Sequence, residues 1–244
     1  MSEEAKAVQE TAKAAAKALE TSEKAGGFVA KYVNYPLVEL AGIVGDRLRY
    51  SRWERQQRLM QRARDFQERS GKSSPDKTLA LKLALPLMAG GSLEESDDLQ
   101  DLWAALLVNS TSSETNVDAK RIYMDVLERI SSFDAVILSK IYEIPYDKMI
   151  DSGVVTRDLP KSVELFDFDR APENKQKLSE PQMDVKLSLM NLVQIGVIWT
   201  PKSLGGGESF KRVNPTFLGQ QFVRACTPPR AKALPGDDRE NQAF

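Results

Sequence analysis

Histidine is absent from the chain. That removes His general bases, Ser-His and Cys-His nucleophile pairs, and His metal ligands. The single cysteine, Cys226, can form neither an intramolecular disulfide nor a thiolate zinc cluster. No stretch approaches the ~18–20 uninterrupted apolar residues of a spanning helix; the greasiest segment, Leu79 to Ala89, contains Lys82 and Pro86. Neither sign of charge dominates: 34 basic and 35 acidic residues leave a net charge of −1, so attraction to nucleic acid has to come from local patches. Glycine (14) and proline (12) are too few among 244 residues for a fibrous or low-complexity chain. What is present is 41% apolar and 28% charged residues, the balance of a folded protein with a sizeable core. The first residues, Met1-Ser2-Glu3-Glu4, put acids where a secretory signal needs a basic start, so the expected location is the cytoplasm.

Helical spacing dominates the pattern. Residues 3–24 are rich in Ala, Lys and Glu and carry a thin apolar stripe of Ala5, Val8, Ala12, Ala15, Ala16 and Leu19, ended by Gly26-Gly27. This segment reads as a loosely docked helix or a partner-binding arm. Residues 36–70 give the longest helical signal, with Leu48, Trp53, Leu59, Met60, Ala63 and Phe66 on one arc. Leu79 to Gly91 reads as a short buried helix stopped by Gly90-Gly91. Ser92 with Glu95 reads as a capping box opening a helix whose core stripe is Leu99, Leu102, Trp103, Leu106 and Leu107. Asp118 is placed to cap a helix with Ile122, Val126, Leu127 and Ile130 inside. Ser131 with Asp134 is placed to start another, with Phe133, Val136, Ile137 and Ile141 inside. Residues 145–181 lose periodicity and hold four prolines, which reads as a connection with a short strand or helix near Val163–Phe168.

The last third changes style. Met183 to Ile195 reads as a helix with Gly196 at its stop, Val197–Thr200 as a strand, Gly205-Gly206-Gly207 as a turn tip, Ser209–Val213 as a return strand, and the segment from Asn214 as the start of a final helix. That order is the order of a winged-helix unit. The expected fold is mainly α: an N-terminal helical arm (1–27), a helical domain (28–131), a winged-helix-like α+β unit with a small hairpin (132–227, with 145–181 as an insertion), and a polar tail (228–244).

Two basic patches stand out. Residues 47–64 hold seven arginines and one acid, and Arg47, Arg55, Arg58 and Arg62 fall along one arc. The acidic segment 92–118, with seven acids and no base, is a natural packing neighbour for them. The second patch is the hairpin, with Lys202, Lys211 and Arg212. The helix before it carries Asn191 and Gln194, side chains able to contact adenine, on a polar face shared with Asp184 and Ser188. It lacks phosphate-anchoring bases on that face, so a winged unit used for protein contact is the leading reading, with DNA contact as the alternative. Trp53, Trp103 and Trp199 are expected in the core. Asp167-Phe168-Asp169 with Glu173-Asn174-Lys175 only loosely resembles a nuclease's acid and lysine set, and Pro172 breaks the strands such a site needs. No catalytic residue, metal site or cofactor is expected.

Several blocks resemble the bacterial abortive-infection alpha family, which is linked to phage defence. They are Lys24-Ala25-Gly26-Gly27-Phe28, Arg49-Tyr50-Ser51-Arg52-Trp53, Leu83-Ala84-Leu85-Pro86-Leu87, Leu93-Glu94-Glu95 through Leu99-Gln100-Asp101-Leu102-Trp103 to Leu107, Asn191 through Gly196, and Thr216 through Val223. The resemblance covers about residues 20–227 and brings no catalytic motif. It implies a setting, defence against phage by arrest of the host cell, and not a mechanism; the expectation of a non-enzymatic protein that acts by binding comes from the residues, which offer neither a nucleophile–base pair nor a metal cluster. A protein partner is expected first and nucleic acid second. A membrane-active toxin built on the 3–24 helix is a third and weak reading, because that helix has a thin stripe and balanced charge; enzymatic activity is the least supported.

Overall fold

A computed structural model of the chain describes residues 50–167, 178–202 and 206–229, with side chains from residue 54 in the first span. The expectations for the arm (1–27), for residues 28–49 including Arg47, for the acids beyond Asp167 in the 168–177 segment, and for the tail lie outside the described residues. Helix α1 (Tyr50–Arg69) buries Leu59, Met60, Ala63 and Phe66, the arc that its periodicity defines. It packs on α2 (Leu81–Leu93) and α3 (Asp97–Ser110). Helix α3 buries Leu99, Trp103, Leu106 and Leu107 and also touches α4 (Arg121–Leu127), α5 (Ser132–Ile141) and α8 (Phe217–Cys226).

Helix α2 does not stop at Gly90-Gly91; it runs on through Leu93. The glycines answer a packing demand instead. A Cβ on Gly90 would lie 2.5 Å from Trp103 Cη2, and one on Gly91 would lie 2.8 Å from Leu59 Cδ2. Their bare backbones let the indole of Trp103 and the side chain of Leu59 press against α2. The Gln100 amide crosses the same junction, donating to the carbonyls of Arg55 (3.0 Å) and Gly91 (3.3 Å). Because Ser92 remains helical and bonds back to the Met88 carbonyl, the cap of α3 moves to Ser96, whose hydroxyl accepts from Leu99 N–H.

Asp118 does not cap α4 either. It pairs with Lys77 at 2.5 Å, while Ile122 is exposed and Tyr123 and Met124 take the buried positions beside Val126 and Leu127. The capping box at α5 forms as the sequence implies, with Ser131 and Asp134 exchanging both hydrogen bonds. Ile137, Leu138 and Ile141 face inward, but Phe133 and Val136 face solvent.

The aperiodic stretch holds more order than its composition suggests. Helix α6 (Tyr146–Ser152) leads into β1 (Val154–Val155), and β2 (Glu164–Leu165) falls inside the window expected to hold a short element. After α7 (Met183–Ile195) come β3 (Ile198–Trp199) and β4 (Arg212–Pro215). The strands form an antiparallel sheet in the order β2-β1-β4-β3, with Val154 opposite Val213 and Ile198 opposite Pro215. The return strand sits later than its β-propensity indicates, so Asn214 and Pro215 belong to β4 and Thr216 becomes the N-cap of α8. Mainly helical structure with one small antiparallel sheet in the C-terminal part is therefore the observed class. A single buried cluster runs from Leu59 to Cys226, across the boundary expected at residues 131 and 132.

Tyr142 ties the sheet to the last helix. Its hydroxyl donates to the carbonyls of Val197 (2.8 Å) and Thr216 (3.2 Å), and it lies against Gly219, where a Cβ would collide with the phenol oxygen. Burial pushes this phenol up to about 12, opposed by its bonds to Thr216. A group whose folded value is raised stabilises the fold fully below its unfolded value, near 10, and loses that contribution as pH climbs to the folded value.

Two outcomes follow from these contacts. Gly90→Ala gains about 1 kcal/mol of helix propensity but overpacks Trp103, so a net loss of ~1–2 kcal/mol is expected in urea denaturation, shrinking when Trp103→Leu makes room. Stability of the wild type falls between pH 10 and 12, and Tyr142→Phe, measured by thermal melts across that window, flattens the fall.

Candidate partner interface

Three of the arginines proposed from sequence are already engaged. Arg55 Nη2 meets Glu95 at 2.7 Å, Arg58 Nη1 meets Asp97 at 3.0 Å, and Arg62 reaches both Asp97 (2.8 Å) and Asp101. The basic face of α1 thus lies along the acidic first turns of α3, the neighbour its charge implies. Long side chains at helical spacing on one element meet carboxylates at helical spacing on the other, so the ladder fixes how α1 slides along α3. Each exposed pair adds only ~0–1 kcal/mol, while Leu59, Met60, Ala63 and Phe66 beneath them supply the larger share.

Helix α7 behaves differently from its sequence reading. Its polar residues do not all face outward. Ser188 is buried and donates to Asp134, and the Asn191 amide donates to Asp134 Oδ2 (3.0 Å) and to the Arg129 carbonyl (3.1 Å). Asp134 is itself buried and also accepts from Ser131 N–H (2.8 Å) and the Ser131 hydroxyl (2.9 Å), so a single carboxylate joins the start of α5 to the middle of α7. Gly196 closes α7 in the left-handed region, at φ 86°, and its N–H returns to the Leu192 carbonyl.

Turning Ser188 and Asn191 inward turns an apolar stripe outward. Met183 is 71% exposed, Leu187 54% and Met190 36%, followed by exposed Gln194. These four residues lie on the face opposite buried Val185, Leu189 and Leu192. Of the two α7 residues proposed to read bases, Gln194 is at the surface and Asn191 is held against α5. Periodicity alone does not single out this stripe, because apolar residues surround most of α7 and either face could have been the buried one. The usable signal was the polar pair Ser188 and Asn191, three residues apart, matched to the cap residue Asp134.

The hairpin candidates are divided. Lys202 and Lys211 are exposed, with Lys202 bridged to Glu208 across the turn. Arg212 is partly buried, lies 4.9 Å over the Phe166 ring and donates to the Ser152 carbonyl, and its burial lowers its proton affinity. Trp199, expected in the core, is 47% exposed on the outer strand, because alternation in β3 sends Ile198 inward and its neighbour out. Cys226 is buried, and burial pushes its thiol up, away from the reactive thiolate. No helix among the described residues is long and apolar enough to cross a membrane.

Replacing Arg55, Arg58 and Arg62 together by Glu sets six carboxylates along one interface. A loss of ~1–3 kcal/mol in chemical denaturation is expected, and adding Glu95→Lys, Asp97→Lys and Asp101→Lys in the same chain restores most of it. No change in stability would show that the ladder does not position α1.

The chain matches the abortive infection alpha family over residues 54–226, from the second turn of α1 to the last residue of α8. Two of the sequence blocks that suggest that family, at Lys24–Phe28 and Arg49–Trp53, lie before the matched span. No curated protein and no solved structure matches the chain. With well over half of its length matched, the chain belongs to the abortive infection alpha family.

Proposed function

We propose that this protein serves abortive infection as a non-enzymatic binding protein, and that the outward stripe of α7 is the surface by which it binds another protein. Family membership suggests the defence role. The observation that carries the binding reading is the exposure of Met183, Leu187 and Met190 on one helix face. Exposed apolar residues grouped in this way mark contact surfaces, and methionine's flexible thioether adapts to irregular partners.

The alternative is a winged-helix DNA reader. It is supported by the pairing of β1, β4 and β3, with β3 packed on α7, and by the exposed Lys202 and Lys211. The α7 surface weighs against it. A recognition helix needs donors and acceptors toward base edges and cations toward phosphates, and here methionine and leucine occupy that face.

The two readings separate in phage-challenged bacteria expressing the protein. Leu187→Asp with Met190→Asp is expected to abolish protection while leaving stability within about 0.5 kcal/mol of wild type, as surface changes do. Lys202→Glu with Lys211→Glu is expected to keep protection. The reverse pattern would favour nucleic acid and overturn the protein-binding reading.

A further inference from the structure

The outward residues of α7 fall at Met183, Leu187, Met190 and Gln194, a spacing of four, three and four. Residues at that spacing form one stripe along a helix, by which it packs lengthwise on a second helix. The steps also read the same from either end. An identical stripe laid alongside in the opposite direction therefore meets it in register, Leu187 against Met190 and Met183 against Gln194, about a two-fold axis.

The two ends of the stripe suit each other. Met183, at the first end, is 71% exposed, the barest of its apolar residues. At the other end, the Thr216 hydroxyl donates to the Gly196 carbonyl at 2.8 Å and sets the next residue, Phe217, 68% exposed, close to the last turn of α7. Reversed pairing brings Met183 of one copy to the Gln194 and Phe217 end of the other. Parallel pairing would instead set Gln194 against Gln194 and align two helix dipoles side by side, where they repel.

Charge permits the contact. None of the four stripe residues is charged. The flanking Asp184 and Lys186 come beside Asn191 and Val193 of the second copy, so no like charges meet. Each chain carries a net charge of −1, too little to hold two copies apart. The apolar area is small: three partly covered side chains with Phe217 near one end fall short of the ~800 Å² per partner of a standard interface, which places the contact among weak, reversible ones.

We propose that the α7 stripe is a self-association surface, on which a second copy of this chain docks its own α7 antiparallel about a two-fold axis. The inference rests on α7 being the binding surface, and it adds what the partner is.

The test uses the full chain, whose one native cysteine, Cys226, is buried. Sedimentation velocity of the wild type over a micromolar concentration series is expected to shift from monomer to dimer, and Leu187→Asp to lose that shift. Direction is read by cross-linking at two exposed positions, with Met183→Cys in one protein and Gln194→Cys in another. In the antiparallel pair Met183 lies across from Gln194 of the other copy, while the two Met183 residues lie about 16 Å apart along the axis, eleven residues at ~1.5 Å each. An equimolar mixture of the two variants is expected to form disulfide dimers under mild oxidation roughly tenfold faster than either variant alone, because docking raises the effective concentration of the facing pair.

A wild type that stays monomeric throughout the series would overturn the inference. So would single variants that cross-link as fast as their mixture, the result of parallel pairing or random encounter. If the wild type stays monomeric while Leu187→Asp with Met190→Asp abolishes protection, the α7 binding surface stands and its partner is a different protein. If that double variant loses the dimer and keeps protection, self-association stands and the defence role given to α7 falls.

Discussion

The lodging of Trp103 against the bare backbone of Gly90 is the contact from which the helical part of the structure is organised. It lets α2 lie close enough to α3 for Gln100 to bridge α1 and α2, and it leaves the remaining faces of α3 free to receive α4, α5 and α8. A large aromatic ring buries enough area to dominate its neighbourhood, but only where a partner yields room. Two consecutive glycines inside a helix give up propensity to provide that room. The α1–α3 ion pairs operate on this base: packing brings the helices together, and charge selects how they register.

The C-terminal part rests on polar rather than apolar organisers. Asp134 gathers Ser131, Ser188 and Asn191, and Tyr142 gathers Val197, Thr216 and Gly219. Buried polar groups are costly unless they are satisfied, so each organiser dictates which face of the neighbouring helix turns inward. The outward stripe of α7 follows from that choice: once Ser188 and Asn191 serve Asp134, Met183, Leu187 and Met190 have nowhere else to point.

Much of the fold is legible where spacing and caps agree. The α1 arc, the α3 stripe, the Ser131–Asp134 box and the Gly196 stop all follow from local rules. The pairing of α1 with α3 is readable from opposite charge runs. What escapes local rules is set by contacts distant in sequence. Gly90-Gly91 resembles a helix stop until Trp103 is seen to require it, and Asp118 resembles a cap until Lys77 claims it. Strands as short as β1 carry too few residues for an alternation to show. The candidate surface was the least legible part, because α7 is apolar on most sides and its orientation depends on a carboxylate some fifty residues earlier.

One side chain joins the middle of the described chain to its end. The Asn109 amide, buried near the end of α3, donates to the carbonyls of Ala225 (2.9 Å) and Thr227 (2.8 Å). The helix at the centre of the core is thus tied down by almost the last described residues. During synthesis, α3 is made long before its closing partner, and its apolar flank stays uncovered until residue 227 has left the ribosome. Cover for this flank of α3 thus comes from α8 and Thr227, and the helical half alone does not supply it.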